Sequence, residues 1–188
     1  MSEKILNILK FLNEAEKLKS VTRHSWTSSG RQESVPEHSW RLAVFAMVLE
    51  KEFPDIDMQR VMELSIVHDF GEIYDGDIPA FKEDPNKLER EEKAIKRLVE
   101  SLPAETQNKI IDLWKEYNAC ETPEAKLVKA LDKLETLIQH NSVDIPTWAK
   151  IEKEFNLTYG KKFMDFHSFI KEFRKIVDKQ TLEKIKNG

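Results

Sequence analysis

Cysteine occurs once in this chain, at Cys120, so an intrachain disulfide is excluded and a reducing compartment is the simplest setting. No histidine accompanies it: the neighbours are Asn118, Ala119 and the acidic Glu121, which disfavours a thiolate, so Cys120 reads as an inert thiol. Long apolar runs are missing too. Residues 1–6 set charges among their apolar positions, which argues against a secretory signal or a spanning helix and for a cytoplasmic protein. Nor is there an excess of positive charge. The formal net charge of -4 gives no field that draws the protein to nucleic acid or to an anionic membrane. Internal repeats, low-complexity segments and a linker are likewise absent, and 188 residues suffice for one domain with a substantial core.

What is present is helical periodicity. Ser2 can cap a first helix with Ile5, Leu9, Leu12, Ala15 and Leu18 at helical spacing. Residues 20–31, rich in Ser and Thr and holding Gly30, read as a long loop. Ser34 and Glu37 form a capping box, and the helix it starts carries His38, Leu42, Phe45 and Leu49 on one stripe. A further helix is predicted over 57–70, with Val61, Leu64 and His68 in register and Gly71 at its end. A turn follows at 74–79. Helix resumes with Ile95, Leu98 and Leu102 inward, and again over 103–117. Thr122-Pro123 opens the helix of Leu127, Leu131, Leu134 and Ile138. Residues 145–188 are predicted to be a helical extension around Trp148, Phe155, Phe163, Phe169, Phe173 and Ile176. The expected fold class is all-α, a single helical domain over 1–188.

Histidine is scarce, at His24, His38, His68, His140 and His167. His38 and His68 fall on apolar helix faces, Asp69 follows His68, and Asp132 borders the apolar stripe of a later helix. A carboxylate at the edge of a core needs a partner, because an unpaired buried charge costs several kcal/mol. One divalent cation would satisfy two imidazoles and two carboxylates together. The alternative is that the histidines are hydrogen-bonded core residues and the His-Asp dipeptide is accidental.

Three blocks resolve that choice: Glu37-His38-Ser39, His68-Asp69-Phe70-Gly71-Glu72 and Leu131-Asp132-Lys133. Together they resemble the HD-domain phosphohydrolase superfamily, which is all helical and binds metal in the order His, His-Asp, Asp. The resemblance covers about 5–141 and implies His38, His68, Asp69 and Asp132 as metal ligands. The segment 31–39, Gly76-Asp77-Ile78-Pro79 and Leu113-Trp114-Lys115-Glu116-Tyr117 are similar to the 5'-deoxynucleotidase branch and its HD-domain relatives. Enzymes of the superfamily with two metals use extra histidines between the His-Asp pair and the last Asp. Residues 70–131 hold none, so one metal ion is expected, with Mn2+, Co2+ and Mg2+ as candidates.

The resemblance also assigns roles. Glu72 becomes the general base, one helical turn past His68 if the helix persists. Asp77 becomes an active-site residue that holds the sugar or assists departure of the 5'-oxygen, while Asp75 is not assigned. Arg23 and Trp26 take the phosphate and the nucleoside, and Arg31 is a second phosphate candidate. The deoxynucleotidase pattern has the Arg and Trp adjacent, whereas here His24 and Ser25 intervene, as in some HD-domain relatives, which puts selectivity against the 2'-hydroxyl in doubt. His140 and His167 read as structural or surface residues. The expected reaction is hydrolysis of nucleoside 5'-monophosphates, preferably deoxy, with a small-molecule nucleotide as the partner. Such relatives are commonly homodimers, and the aromatic segment after Ile145 is a candidate interface. Rival readings are a mononuclear HD phosphohydrolase for another phosphate ester, a metal-stabilised binding module without catalysis, and a helical protein without metal.

Overall fold

Caps set where the helices begin, and the computed structural model, which describes residues 1–188, follows them closely. In chain order the elements are α1 (Ser2–Ala15), β1 (Thr22–Trp26), β2 (Gln32–Ser34), α2 (Val35–Val48) and α3 (Met58–Val67). Then come α4 (Lys87–Val99), α5 (Ala104–Ala119), α6 (Pro123–Asn141), α7 (Glu152–Thr158) and α8 (Ser168–Asn187). The Ser34 amide and hydroxyl both donate to Glu37 Oε2, at 2.9 and 3.0 Å, and start α2. Asp57 caps α3 through the Arg60 amide at 3.1 Å, and Thr122 caps α6 through the Ala125 amide at 3.2 Å. At the end of α5 Cys120 adopts the left-handed conformation that usually falls to Gly or Asn.

Helix α6 is the axis. Leu127, Val128, Leu131, Leu134 and Leu137 have no solvent exposure. Around them pack α2, α3, α5 and α8, which bring Leu42, Leu64, Trp114 and Ile170 into one core. Each buried leucine contributes roughly 1.5–3 kcal/mol to that core. A smaller cluster of Leu18, Val35, Ile73, Leu98 and Val99 closes the other side of α2 and α4. No helix is long and apolar enough to cross a membrane.

Four sequence expectations are corrected. Residues 20–31 are not a long loop: Thr22–Trp26 pairs antiparallel with Gln32–Ser34, Thr22 opposite Ser34 and Trp26 opposite Gln32. Threonine and tryptophan favour strands, and Gly30 at φ +85° closes the intervening turn. In α1 the predicted apolar stripe stays outside, with Ile5, Leu9 and Leu12 about half exposed, because only Phe11 and Ala15 reach the second cluster. Helix α3 ends at Val67, and a 3-10 turn, Phe70–Ile73, replaces its expected last turn. Gly71 therefore does not end the helix. A Cβ there would lie 2.5 Å from Glu91 Cβ and 3.0 Å from its Cα, so glycine lets the turn lie against α4.

Gly71→Ala is expected to cost about 1–3 kcal/mol of unfolding free energy, the usual range for overpacking, and a denaturant titration measures it. A second prediction concerns pH. Hydrogen bonds from Arg31 and the Ser34 amide hold the Glu37 carboxyl down to about 2. A depressed carboxylate stabilises above its unfolded pKa, and that contribution disappears as pH falls towards the folded value. Glu37 is about two-fifths exposed, so Glu37→Gln is expected to cost only about 0.5–1 kcal/mol at pH 7. The difference from the parent should vanish near pH 2 in matched thermal melts.

Candidate functional site

The capping box places His38 in the first turn of α2, facing the core with no solvent exposure. His68 closes α3, and Asp69 follows it out of the helix. One donor atom from each of His38, His68 and Asp69 lies within 4.8 Å of the other two. His68 Nε2 stands 3.0 Å from Asp69 Oδ2, and His38 Nε2 stands 3.2 Å from Asp132 Oδ1. Both Nε2 atoms are buried without a hydrogen-bond partner. The opposite ring nitrogens are engaged: His68 Nδ1 donates to the Ser65 carbonyl at 2.8 Å, and His38 Nδ1 lies 2.5 Å from Glu135 Oε2. A carbonyl can only accept, so the His68 Nδ1 carries a proton and Nε2 is the ring nitrogen left facing Asp69. Engaged Nδ1 atoms behind free Nε2 atoms are the usual support of a metal-binding histidine. These buried polar atoms fit one divalent cation.

Electrostatics supports the same grouping. Burial and Arg23 oppose charge on His38, yet Glu135 and Asp132 outweigh them and hold the ring up to about 10. Burial opposes ionisation of Asp69, but His68, Arg23 and His38 keep its carboxyl far below the usual range. Asp132 is lowered in the same way, against burial, by Lys133 and the two histidines. Its Oδ2 accepts from Tyr117 Oη at 2.5 Å and from Lys133 Nζ at 2.8 Å, leaving Oδ1 towards His38.

His68, Asp69 and Asp132 line a cleft of about 230 Å³, and the remaining predicted residues divide around it. Glu72 reaches it from the 3-10 turn; Oε1 lies 3.3 Å from Lys87 Nζ, and Oε2 has no partner. Burial and the nearby Asp69 and Asp77 carboxylates push Glu72 up to about 9. Asp77, after Gly76 at φ +83°, lines the cleft and accepts the His24 amide at 3.4 Å. Arg23 spans the site, with Nη1 at 3.2 Å from Asp69 Oδ2, Nη2 at 3.3 Å from Thr136 Oγ1 and Nε at 3.4 Å from Glu33 Oε2.

Two predicted residues stand outside. Arg31 is exposed and forks onto Glu37, a local partner six residues away. Trp26 packs with Val143, Ile145 and Trp148, while His24 and Ser25 enter the cleft instead. The cause is an irregular register between Thr22 and Trp26, which turns three consecutive strand residues to one side. His140, read as structural or surface, is buried and lines the cleft, bonded through Nδ1 to Asn156 at 3.1 Å. His167 caps α8 through the Phe169 amide. Asp75 is absent from the lining and lies 3.8 Å from Arg90.

Sequence reasoning missed Glu135, Tyr117, Lys129 and Lys133. The available signal was spacing: Lys129 and Glu135 lie three residues either side of Asp132, on its helix face.

Known proteins share this architecture. The HD domain family model matches residues 15–174. The 5'-deoxynucleotidase HDDC2 of Bos taurus is 39% identical over 137 residues, covering 71% of this chain and 66% of the relative. The chain thus spans about two thirds of that protein. The protein of the same name from Dictyostelium discoideum is 33% identical over 172 residues, covering 82% of this chain and 90% of its own. Among solved structures, one described as a predicted metal-dependent phosphohydrolase from Magnetospirillum magnetotacticum superposes with a TM-score of 0.82, at 27% identity and 97% coverage of both chains. Matched over most of its length in sequence and in fold, the chain belongs to the HD-domain family.

Proposed function

We propose that this protein is a divalent-metal-dependent phosphomonoesterase that releases phosphate from (deoxy)nucleoside 5'-monophosphates. One observation carries the reading: two buried, unpartnered imidazole nitrogens converge with Asp69 beside a cleft that also holds Glu72, Asp77 and Arg23. The names of the relatives supply the substrate class. His38, His68, Asp69 and Asp132 would hold the cation. When bound, it supplies a Lewis acid for the phosphoryl group and acidifies water.

The chain's own residues do the rest. Arg23 pairs with Asp69, and its planar fork would suit the oxygens of a phosphoryl group bound beside it. In its ionised form, which a cation held beside Asp69 would favour, Glu72 takes a proton from the attacking water. Lys87 fixes its Oε1, which leaves the unpartnered Oε2 for that water. Asp77 serves the sugar or the departing 5'-oxygen. Trp26 does not line the cleft but packs edge-on against His24, centroids 5.2 Å apart. His24 in turn meets Phe81 at 5.5 Å, so the rings of His24 and Phe81 are candidates for the nucleoside.

The decisive assay measures phosphate release over a panel of nucleoside monophosphates with Mn2+, Co2+ or Mg2+. Turnover of at least one deoxynucleoside monophosphate is expected, and none with any of the three metals would overturn the reading. Glu72→Gln should lower kcat by about 10²–10⁴-fold while retaining metal. Asp69→Ala should lose both metal and turnover, checked by metal analysis of protein purified without chelator.

A further inference from the structure

Arg23, Lys87, Lys129 and Lys133 are the cationic side chains that line the cleft. Three of them are already neutralised by the protein. Arg23 faces Asp69 and Glu33, Lys87 stands 3.3 Å from both Glu72 and Glu91, and Lys133 lies 2.8 Å from Asp132. Lys129 differs, with no carboxylate within 4.0 Å of its ammonium. Its Nζ lies 3.4 Å from the centroid of the Tyr117 ring, and the hydroxyl of that ring donates to Asp132. The aromatic face supports the half-buried ammonium, but it leaves the three N–H donors without an acceptor from the protein. Lys129 also sits three residues before Asp132 in α6, so both side chains leave the helix on one face.

We propose that Lys129 binds the substrate's phosphoryl group, its ammonium donating to a non-bridging oxygen beside Asp132 and holding the inorganic phosphate product in the same way. This inference rests on the phosphohydrolase reading above. The unpaired cation is the complement of an incoming dianion, whereas the other three already balance acids of the protein. Burial and the neighbouring Lys133 hold the Lys129 ammonium down to about 8, and a bound phosphate would raise it again. Lys129 therefore adds a point charge where Arg23 adds a fork.

The test compares Lys129→Met and Lys129→Arg with the parent in metal-loaded protein. KM for a deoxynucleoside monophosphate, the inhibition constant of inorganic phosphate and the metal affinity are measured together. For Lys129→Met, KM and the phosphate inhibition constant should rise on the order of 10- to 100-fold, the loss expected for one charge-assisted hydrogen bond. Metal affinity should stay within about twofold, and Lys129→Arg should recover most of the phosphate affinity. A purely structural lysine would not give that split. If Lys129→Met does not fold, Lys129→Gln replaces it. A folded, uncharged variant whose KM and phosphate inhibition constant match the parent overturns the proposal. Should the parent turn over no monophosphate, calorimetric titration of inorganic phosphate into the loaded protein decides separately. Weaker phosphate binding in the variant sustains the role of Lys129 although the nucleotidase reading falls, and equal binding overturns it.

Discussion

Helix α6 carries Asp132 and Glu135 into the interior, and their need for partners organises what surrounds them. An unpaired carboxylate there would cost several kcal/mol, about what one or two buried leucines return. His38 meets both acids, Nδ1 against Glu135 and Nε2 near Asp132, which ties the start of α2 to the middle of α6. Arg41 reaches Glu135 at 3.3 Å from one turn further along α2. Tyr117 brings α5 to Asp132, and Lys133 closes the other side. The same contacts that pack α2 and α5 on the central helix thus assemble the donor set. Fold and site share one electrostatic requirement.

That requirement is only partly met by the protein. Asp69, Glu72, Asp77, Glu91 and Asp132 share one cleft, and the nearby cations reach some of them imperfectly. Glu72 shows the shortfall: with Lys87 at 3.3 Å, its carboxyl still rises to about 9, through burial first and then through the nearby Asp69 and Asp77. A divalent cation held by His38, His68, Asp69 and Asp132, as proposed, would relieve this crowding and favour the ionised form of Glu72. In the proposed reading, metal binding and the readiness of Glu72 as base would be linked through the same local field.

Much of this was legible in the sequence, for identifiable reasons. His38, His68 and Asp132 stand on or beside apolar stripes, where a polar residue is conspicuous, and Ser34 and Glu37 announce the start of α2. The strand pair was not legible, because its serines and threonines read as loop and its pairing is settled across the turn. The side that Trp26 faces was not legible either, since a register irregularity decides it. Arg31 found a nearer acid in Glu37. Glu135 and Lys129 stayed hidden because charged residues on a helix usually face water, and only the burial of α6 on nearly all sides turns them inward.

The His68-Asp69 pair illustrates how a local backbone change makes a site. Adjacent residues of an α-helix point about 100° apart, so a continued helix would have separated the two side chains. Instead the chain leaves α3 at His68, and Asp69 takes φ -101° and ψ 11°, which brings its carboxylate back to 3.0 Å from His68 Nε2. The tighter turn that follows repeats every three residues, so Glu72 eclipses Asp69 and faces the same cleft. The Glu72 amide bonds to the Asp69 carbonyl at 3.0 Å and fixes that relation. Gly71, lacking a Cβ, lets the turn rest against Glu91 of α4. The motif is then more than a ligand pair: helix termination, the 3-10 turn and one glycine contact aim a histidine, an aspartate and a glutamate at a single point.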